Sequence, residues 1–583
     1  MLKTSKMPVK PAISLKVLIF CILWSQSLQG QPVYPDIHLC PPLDIPLSLS
    51  SSFGEVRVNY LHYGIDLRTQ GKTGFVVRAV DSGYVSRVKI EPGGYGRAVY
   101  ITHPTGFVSV YAHLEKLRPD IDEYVKNEQY KAEQFAMDLF PPKDLITVKK
   151  CDSIAWSGNA GSSTGPHLHF EMRDEKTQEI VNVTRFFSLP IQDNIPPSIE
   201  KLYIYPINEN SRVNSRNATH EITVIAGKNI NTIGKEIPEI SGEIGFGIKC
   251  RDLGNSTNSA TGVYEIEMYV NNALYFKQEI DRYSFAESRY SNSVLDYERV
   301  IRYGVKVNRL FIQPNNKFRI YPKAVNNGLL DVQDTSVKKI LVRAMDAYLN
   351  KTELEFYVKG KITPKSVKPA PSGKNYIHCK AEQVYTNKNI RITFHQNSLY
   401  DNLVFKYSES TLKPGYYSGI YHIHNKYTPI HQAITVQFTP VNLPSSLYSK
   451  ALVANIDNQK IAWTGGEYKN GAVEADIRTF GDYVIMVDTV PPKIVLLPGS
   501  KEKDNYSNNS SINVKITDEV SGISAFRGTI DGKWVLFEYD SKFNLLSYDF
   551  DPVRFTFGQN HKLDLVVTDV KGNSSELHTT FYK

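Results

Sequence analysis

The sequence is short of cysteine and of long hydrophobic runs. Five cysteines occur in 583 residues, and none falls in a C-x-x-C pair or a spaced knuckle, so a cysteine-ligated zinc site has no support. The apolar run Val17–Trp24, "VLIFCILW", is far below the ~20 residues a spanning helix needs, and no later segment is long enough to cross a membrane. No Arg/Lys tract interleaved with aromatics appears, which argues against nucleic acid as a partner. Acidic residues are missing from the first 30 positions, where Lys3, Lys6, Lys10 and Lys16 precede the apolar run and "SQSLQGQPV" follows it. That pattern reads as a cleaved export leader over residues 1–30. Cys21 follows the bulky Phe20 within the run, which argues against a lipid-attachment cysteine. Setting the four leader lysines aside lowers the net charge from +8 to +4, mildly basic for this length. Four cysteines then remain. Cys40 and Cys151 fall in one expected domain, where they either pair in an oxidising compartment or sit as lone buried thiols; Cys250 and Cys379 stand apart.

What is present is a long β-rich chain. Its length exceeds what one core can serve and implies about three to five domains. With 36 tyrosines and frequent β-branched runs, the expected class is mainly β: a small antiparallel domain with one helical insertion, then about three β-sandwiches. In residues 31–190, strands such as "GFVVRAV" and "RAVYITH" alternate with the turns "DSG", "PGGYG" and "PTG". Residues 118–140 break the habit with helical spacing that "FPPKD" stops, giving a helical insertion and a candidate flap over a cleft. After residue 190 a repeat emerges. "DNIPPSI" (193–199) returns as "DTVPPKI" (488–494), each followed by a strand ending in Asp (Asp252, Asp518) and then Gly262-Val263 or Gly522-Ile523. Turns at Asn271-Asn272 and Asp531-Gly532 come next, and each copy closes on D-x-x-x-N-x-x-E-L (Asp346, Asn350; Asp569, Asn573). The expected units are therefore an Ig-like sandwich over 191–365, a β domain over 366–487, and a second Ig-like sandwich over 488–583.

The first domain also holds the chemistry. "LHYGIDL" supplies His62 and Asp66, "VYAHLEK" supplies His113, and "GPHLHFE" supplies His167 and His169. Taken singly, each of these is a structural residue more often than a ligand. In a strand, however, residues i and i+2 share a face, so His167 and His169 project together. Two histidines and a carboxylate form a ligand set that zinc accepts, and an open fourth position is the mark of a catalytic site. Such an ion acidifies water and polarises an amide carbonyl, while further histidines beside it handle protons.

At these residues, and in "SSSFGEVR", "AVDSGYV", "VYITHPTG" and "SIAWSGNAGSSTGPHLHFEMRD", the sequence resembles the lysostaphin-type zinc endopeptidases that cut peptidoglycan peptides. The resemblance covers roughly residues 40–185. It implies a small antiparallel core with a long groove, one Zn2+ held by His62, Asp66 and His169, His167 as general base, and His113 as transition-state stabiliser or proton carrier. Two features depart from the family pattern: the insertion is longer than usual, and Cys151 stands where glycine is common. Some relatives have lost ligands and activate other wall enzymes, and the intact set here counts against that role. The resemblance thus implies an exported, periplasmic or cell-surface, zinc-dependent endopeptidase acting on peptidoglycan stem peptides or cross-bridges. The alternative is a non-catalytic wall-binding protein or an activator of a separate amidase.

The remaining histidines read as structural. His103 flanks a turn. His422 and His424 form a second H-x-H near His431, but no carboxylate lies at ligand spacing. The tyrosine-rich downstream units read as spacers or as modules for a protein or glycan partner.

Overall fold

The computed structural model describes residues 37–186, 189–255, 260–362, 373–498 and 504–583, so the export leader expected over residues 1–30 lies outside the described residues. In the first domain the short alternating runs become β1 (Leu49–Ser51), β2 (Ile65–Arg68), β3 (Val76–Arg78), β4 (Gly83–Ile90), β5 (Arg97–Thr102), β6 (Phe107–Ala112) and β7 (Leu114–Leu117). Helix α1 (Pro119–Ala132) follows, then β8 (Met137–Leu139), β9 (Ser153–Ser157) and β10 (His167–Asp174). The main sheet runs β1-β2-β10-β6-β5-β4-β8 and is antiparallel throughout, while β3, β9 and β7 form a small second sheet. Strand β10 shows why the site can exist. Leu168, Phe170 and Met172 pack into the hydrophobic core, which turns His167, His169, Glu171 and Arg173 to the opposite face.

The insertion is helical over a shorter span than its spacing suggests. Helix α1 ends at Ala132, where Glu133 takes a left-handed conformation (φ 50°), and Met137–Leu139 pairs with the edge of β4. It buries Ile121 and Val125 against the domain core. Its outer side meets the last unit of the chain through Tyr130 against Trp534 (centroids 5.0 Å), Arg554 donating to Asn127 at 2.9 Å, and an Arg527–Glu133 ion pair at 2.5 Å. No residue of α1 lines the groove described below, so the helix is a strut between units and not the flap expected of it.

The first domain does not complete its own core. Ile280, Tyr283, Val294, Leu295, Phe318, Ile320 and Tyr400 join the same hydrophobic cluster as Leu168 and Phe170. Each buried aliphatic or phenyl group of this kind contributes roughly 1.5–3 kcal/mol. Downstream, a 12-stranded sheet includes Ser198–Pro206 and Glu239–Leu253. Two five-stranded sheets between Gln383 and Val487 share one core, as do two four-stranded sheets between Lys493 and Tyr582. The internal repeat survives in three dimensions. Asn350 Nδ2 donates to Asp346 Oδ2 (2.7 Å) and to the Asp193 carbonyl (3.1 Å); Asn573 Nδ2 does the same to Asp569 Oδ2 (2.6 Å) and the Asp488 carbonyl (3.1 Å). Among the described residues no helix is long and apolar enough to cross a membrane.

Candidate metal centre

Strand register assembles the centre. In the β2–β10 pair, His169 stands opposite Asp66, and on the other side β10 sets His169 opposite Ala112, one residue before His113. Opposed residues on antiparallel strands bring their Cβ atoms to about 4.5–5.5 Å, so Asp66 and His169 meet without any special loop. His62 precedes β2 across a turn that needs glycine. A Cβ on Gly64 would lie 2.2 Å from the Phe170 carbonyl oxygen, a clash that no side chain can relieve. His113 sits where the chain leaves the main sheet for the small one, in a left-handed conformation (φ 61°). Its amide donates to Tyr95 O (3.0 Å), and its carbonyl accepts from Ala160 N (3.4 Å). These bonds hold a backbone shape that costs a non-glycine residue about 1–2 kcal/mol.

Three atoms face one another at the floor of the site: His62 Nε2 to Asp66 Oδ1 is 3.1 Å, His62 Nε2 to His169 Nδ1 is 3.2 Å, and His169 Nδ1 to Asp66 Oδ1 is 2.8 Å. A tetrahedral zinc ion with bonds of about 2.0–2.1 Å requires ligand atoms about 3.3 Å apart. The proton assignments fit as well. His62 Nδ1 donates to the Ser52 carbonyl (2.8 Å) and His169 Nε2 donates to Glu171 Oε1 (2.9 Å), which turns a lone pair from each ring toward Asp66. Three acceptors aimed at one point, with His62 and His169 each only 4% exposed, call for a cation. A proton is the weaker substitute. Burial disfavours charge on His169, yet its hydrogen bonds with Asp66 and Glu171 raise it to about 9. Without a cation the rings carry protons in its place: burial opposes the Asp66 carboxylate, but the charge of His62 and the hydrogen bonds that protonated His167, His169 and His62 then give it hold it well below the usual range.

The two proton-handling candidates stand beside this point. His167 Nε2 lies 3.4 Å from Asp66 Oδ1, and its Nδ1 donates to Gly165 O at 2.8 Å, leaving Nε2 free to accept. His113 Nδ1 donates to Ala160 O at 2.9 Å, and its ring lies 4.9 Å from that of His167 and 5.8 Å from that of His169. Burial, followed by the charges of His169 and His167, pushes His113 down to about 3, so it is neutral near pH 7. All five predicted residues therefore line one open groove of about 950 Å³, whose walls include Arg57, Tyr60, Lys89, Tyr95 and Phe285.

Sequence reasoning missed the residues that hold this arrangement in place. Glu171 is fully buried and takes hydrogen bonds from His169, from Tyr95 OH and from Arg173, whose Nε lies 2.8 Å and whose terminal nitrogen lies 2.6 Å from Oε2. Its position two residues after His169 in "HLHFE" was the available signal, because strand alternation puts it on the same face. Tyr283 OH donates to the His62 carbonyl (2.6 Å), and Ser288 Oγ accepts from Leu61 N (2.8 Å); both come from the second unit, with no sequence signal.

Elsewhere the histidines are structural. His103 is buried between Ser82 O (2.9 Å) and Ser109 Oγ (2.7 Å). His422 pairs with Asp482 (2.7 Å), His424 with Thr428 Oγ1 (3.0 Å), and His431 with Tyr400 OH (3.1 Å). His424 has φ 50°, which breaks the alternation that would have turned it to the side of His422. Cys40 and Cys151 form a disulfide, and Cys250 and Cys379 are free thiols.

With the geometry in view, residues 60–134, within the first domain, match peptidase family M23. The match contains His62, Asp66 and His113; His167 and His169 lie beyond its end. Residues 374–488 match the Zu5-like domain. An uncharacterized metalloprotease of Haemophilus influenzae is 36% identical over 110 residues, 19% of this chain and 18% of that protein. The DD-carboxypeptidase/endopeptidase Mpg of Neisseria meningitidis is 34% identical over 113 residues, 19% of this chain and 20% of that one. The alignment thus spans about a fifth of the length of these curated relatives. The solved catalytic domain of the prophage-encoded M23 protein EnpA from Enterococcus faecalis aligns at 25% identity over 24% of this chain and 93% of its own, with a TM-score of 0.19.

Proposed function

We propose that this protein is an exported zinc-dependent endopeptidase that hydrolyses peptide bonds in peptidoglycan stem peptides or cross-bridges. The observation that carries this reading is the convergence of His62 Nε2, Asp66 Oδ1 and His169 Nδ1 within 2.8–3.2 Å of one another on the floor of an open groove. The Cys40–Cys151 disulfide supports an oxidising compartment, periplasmic or at the cell surface. The endopeptidase in the name of the Neisseria relative supports the substrate class.

In this reading His62, Asp66 and His169 hold one zinc ion, which would polarise the scissile carbonyl and bring water's acidity toward neutrality. Glu171 keeps the His169 ring in the tautomer that presents Nδ1, and Ser52 O does the same for His62. His167 Nε2, with its other nitrogen committed to Gly165 O, takes the proton from the attacking water. His113 starts neutral with Nδ1 committed to Ala160 O, so the proton that His167 takes from the water would pass to His113 Nε2, and the imidazolium formed would donate it to the leaving amine and return to neutral. Tyr60, Tyr63 and Phe285 form an apolar wall that orients the peptide. The unit boundaries expected at 190, 365 and 487 remain part of this proposal, with the downstream β units positioning the enzyme on the wall.

The test is digestion of purified peptidoglycan by the zinc-loaded mature chain, with released muropeptides identified by mass spectrometry. New peptide termini from the wild type and none from His169→Ala support the proposal. Equal release by both, at matched folding, rejects it. No release by either, together with stimulation of a separate amidase, selects the activator reading.

A further inference from the structure

The repeat that runs through the downstream units leaves two clusters of three aspartates outside the proposed zinc centre, and the clusters are not equivalent. In the first, one oxygen from each of Asp193, Asp252 and Asp346 lies within 4.8 Å of the others. Asp252 is 5% exposed and Asp346 2%. They border a cavity of about 40 Å³ whose lining contains no Lys, Arg or His. Asp252 Oδ2 accepts from Thr261 Oγ1 at 3.1 Å, but its Oδ1 is buried with no hydrogen-bond partner among the described residues. A buried carboxylate oxygen without a donor is rare, and its usual explanation is an ordered water or an ion. Burial, followed by the charges of Asp193 and Asp346, pushes Asp252 up to about 7, so the repulsion within the cluster is unrelieved.

Asp346 is satisfied by Tyr348 N (2.9 Å), Asn350 N (2.9 Å) and Asn350 Nδ2 (2.7 Å), as its counterpart is in the second cluster, so the two copies part at Asp252 and its counterpart Asp518. Asp488 takes bonds at both oxygens from Val490 N and Ser521 N (3.1 Å each), and Asp569 takes them from Asn573 N (2.9 Å) and Nδ2 (2.6 Å). Asp518 Oδ1 accepts from Val520 N (3.0 Å) and Gly522 N (2.6 Å). Lys571, two residues after Asp569, feels the charges of both Asp488 and Asp569, whereas the first copy has Tyr348 at the matching place. Lys571 Nζ itself donates to Gly466 O (2.7 Å), so the second copy has a lysine near its aspartates where the first has a neutral tyrosine.

We propose that Asp193, Asp252 and Asp346 bind a divalent cation of the oxygen-preferring class, with calcium as the ion that fits best. The donor set is carboxylate alone, without nitrogen or sulfur, which suits a hard cation. The cavity also has room for about one water to complete a flexible shell. Its position gives the ion a structural task. Gly262 N, next to Thr261, donates to Ser52 Oγ at 3.0 Å, and the Ser52 carbonyl is the acceptor that orients His62. A cation here would steady the turn of the second unit that holds Ser52, the residue just after β1 whose carbonyl orients His62.

The experiment is a calorimetric titration of the zinc-loaded full chain with calcium chloride, paired with thermal melts. One calcium per chain is expected, with a Kd on the order of 10⁻⁴–10⁻³ M as in extracellular modules, and a melting temperature that rises with calcium. Both effects vanish in Asp252→Asn, which without calcium melts no lower than the wild type because a buried like charge has gone. No heat and no shift in the wild type overturns the proposal and leaves a water on Asp252. An undiminished response in Asp252→Asn, or its loss in Asp518→Asn instead, also overturns it. Should Asp252→Asn fail to fold, terbium on the wild type decides: emission sensitised by Tyr264 and Tyr348 and quenched by calcium supports the site, and its absence refutes it.

Discussion

Replacing Glu171 by glutamine tests the proton logic of the site without touching a proposed ligand. The carboxylate is fully buried and receives His169 Nε2 at 2.9 Å, the Arg173 guanidinium at 2.6–2.8 Å, and Tyr95 OH. Glutamine keeps the shape but removes the charge, and its amide can flip to present a donor to His169. That weakens the preference for the tautomer in which Nδ1 carries the lone pair. Loss of such a supporting carboxylate typically lowers metal affinity 10–100-fold, about 1.4–2.8 kcal/mol. Arg173 is left buried with one anion fewer, and breaking a buried pair costs about 3–5 kcal/mol. Arg173 keeps its contacts with the Phe285 ring (4.7 Å) and the Tyr100 ring (5.2 Å), so the lower end of that range is expected. Zinc affinity is read by competition with a chromophoric chelator, and folding by circular dichroism and melting temperature. A folded Glu171→Gln protein that binds zinc within twofold of the wild type would refute the reasoning.

Other perturbations probe the remaining links. His167→Ala and His113→Ala retain one zinc per chain but lose 10²-fold or more in peptidoglycan turnover, the usual scale for general acid–base groups; loss of zinc instead would assign them to coordination. The pH dependence follows from His169, whose folded value of about 9 exceeds its ordinary 6.5. A raised folded value means that its contribution to the metal-free chain, on the order of 3 kcal/mol, is complete below pH 6.5 and is lost as pH rises through 9. The metal-free melting temperature therefore falls over that window, while zinc affinity rises as the competing proton leaves; a flat affinity between pH 6.5 and 9 contradicts this. Reducing Cys40–Cys151, which closes a loop of sequence separation 111, costs about 2–5 kcal/mol and lowers the melting temperature under dithiothreitol. Tyr283→Phe removes the donor to the His62 carbonyl, costs about 1 kcal/mol, and weakens zinc binding without changing the ligand count.

The histidine-aspartate constellation was legible chiefly through the resemblance of its motifs to a known family; strand periodicity by itself gave only the shared face of His167 and His169. Once "GPHLHFE" is a strand, His167 and His169 share a face, and pairing with "GIDL" sets His169 opposite Asp66. His422 and His424 were read as structural for want of a carboxylate partner, and the structure adds a left-handed φ at His424 that breaks the strand alternation, which no residue pattern announced. Helix α1 stops eight residues short of its expected end because Met137–Leu139 gains ladder bonds at the edge of β4, a tertiary gain that outweighs helical spacing. The contacts of Tyr283, Ser288 and Phe285 with the catalytic domain join residues more than 100 positions apart in sequence, beyond any local signal. Glu171 was in plain view, but its role depends on which ring nitrogen of His169 faces Asp66.

The most direct test is X-ray absorption at the zinc edge on the full chain loaded with one equivalent of zinc. A shell of two imidazole nitrogens and light oxygen donors at about 2.0–2.1 Å, reduced to a single imidazole in His169→Ala, is the predicted result. Sulfur in the shell, an all-oxygen shell, or a spectrum unchanged by His169→Ala would contradict it.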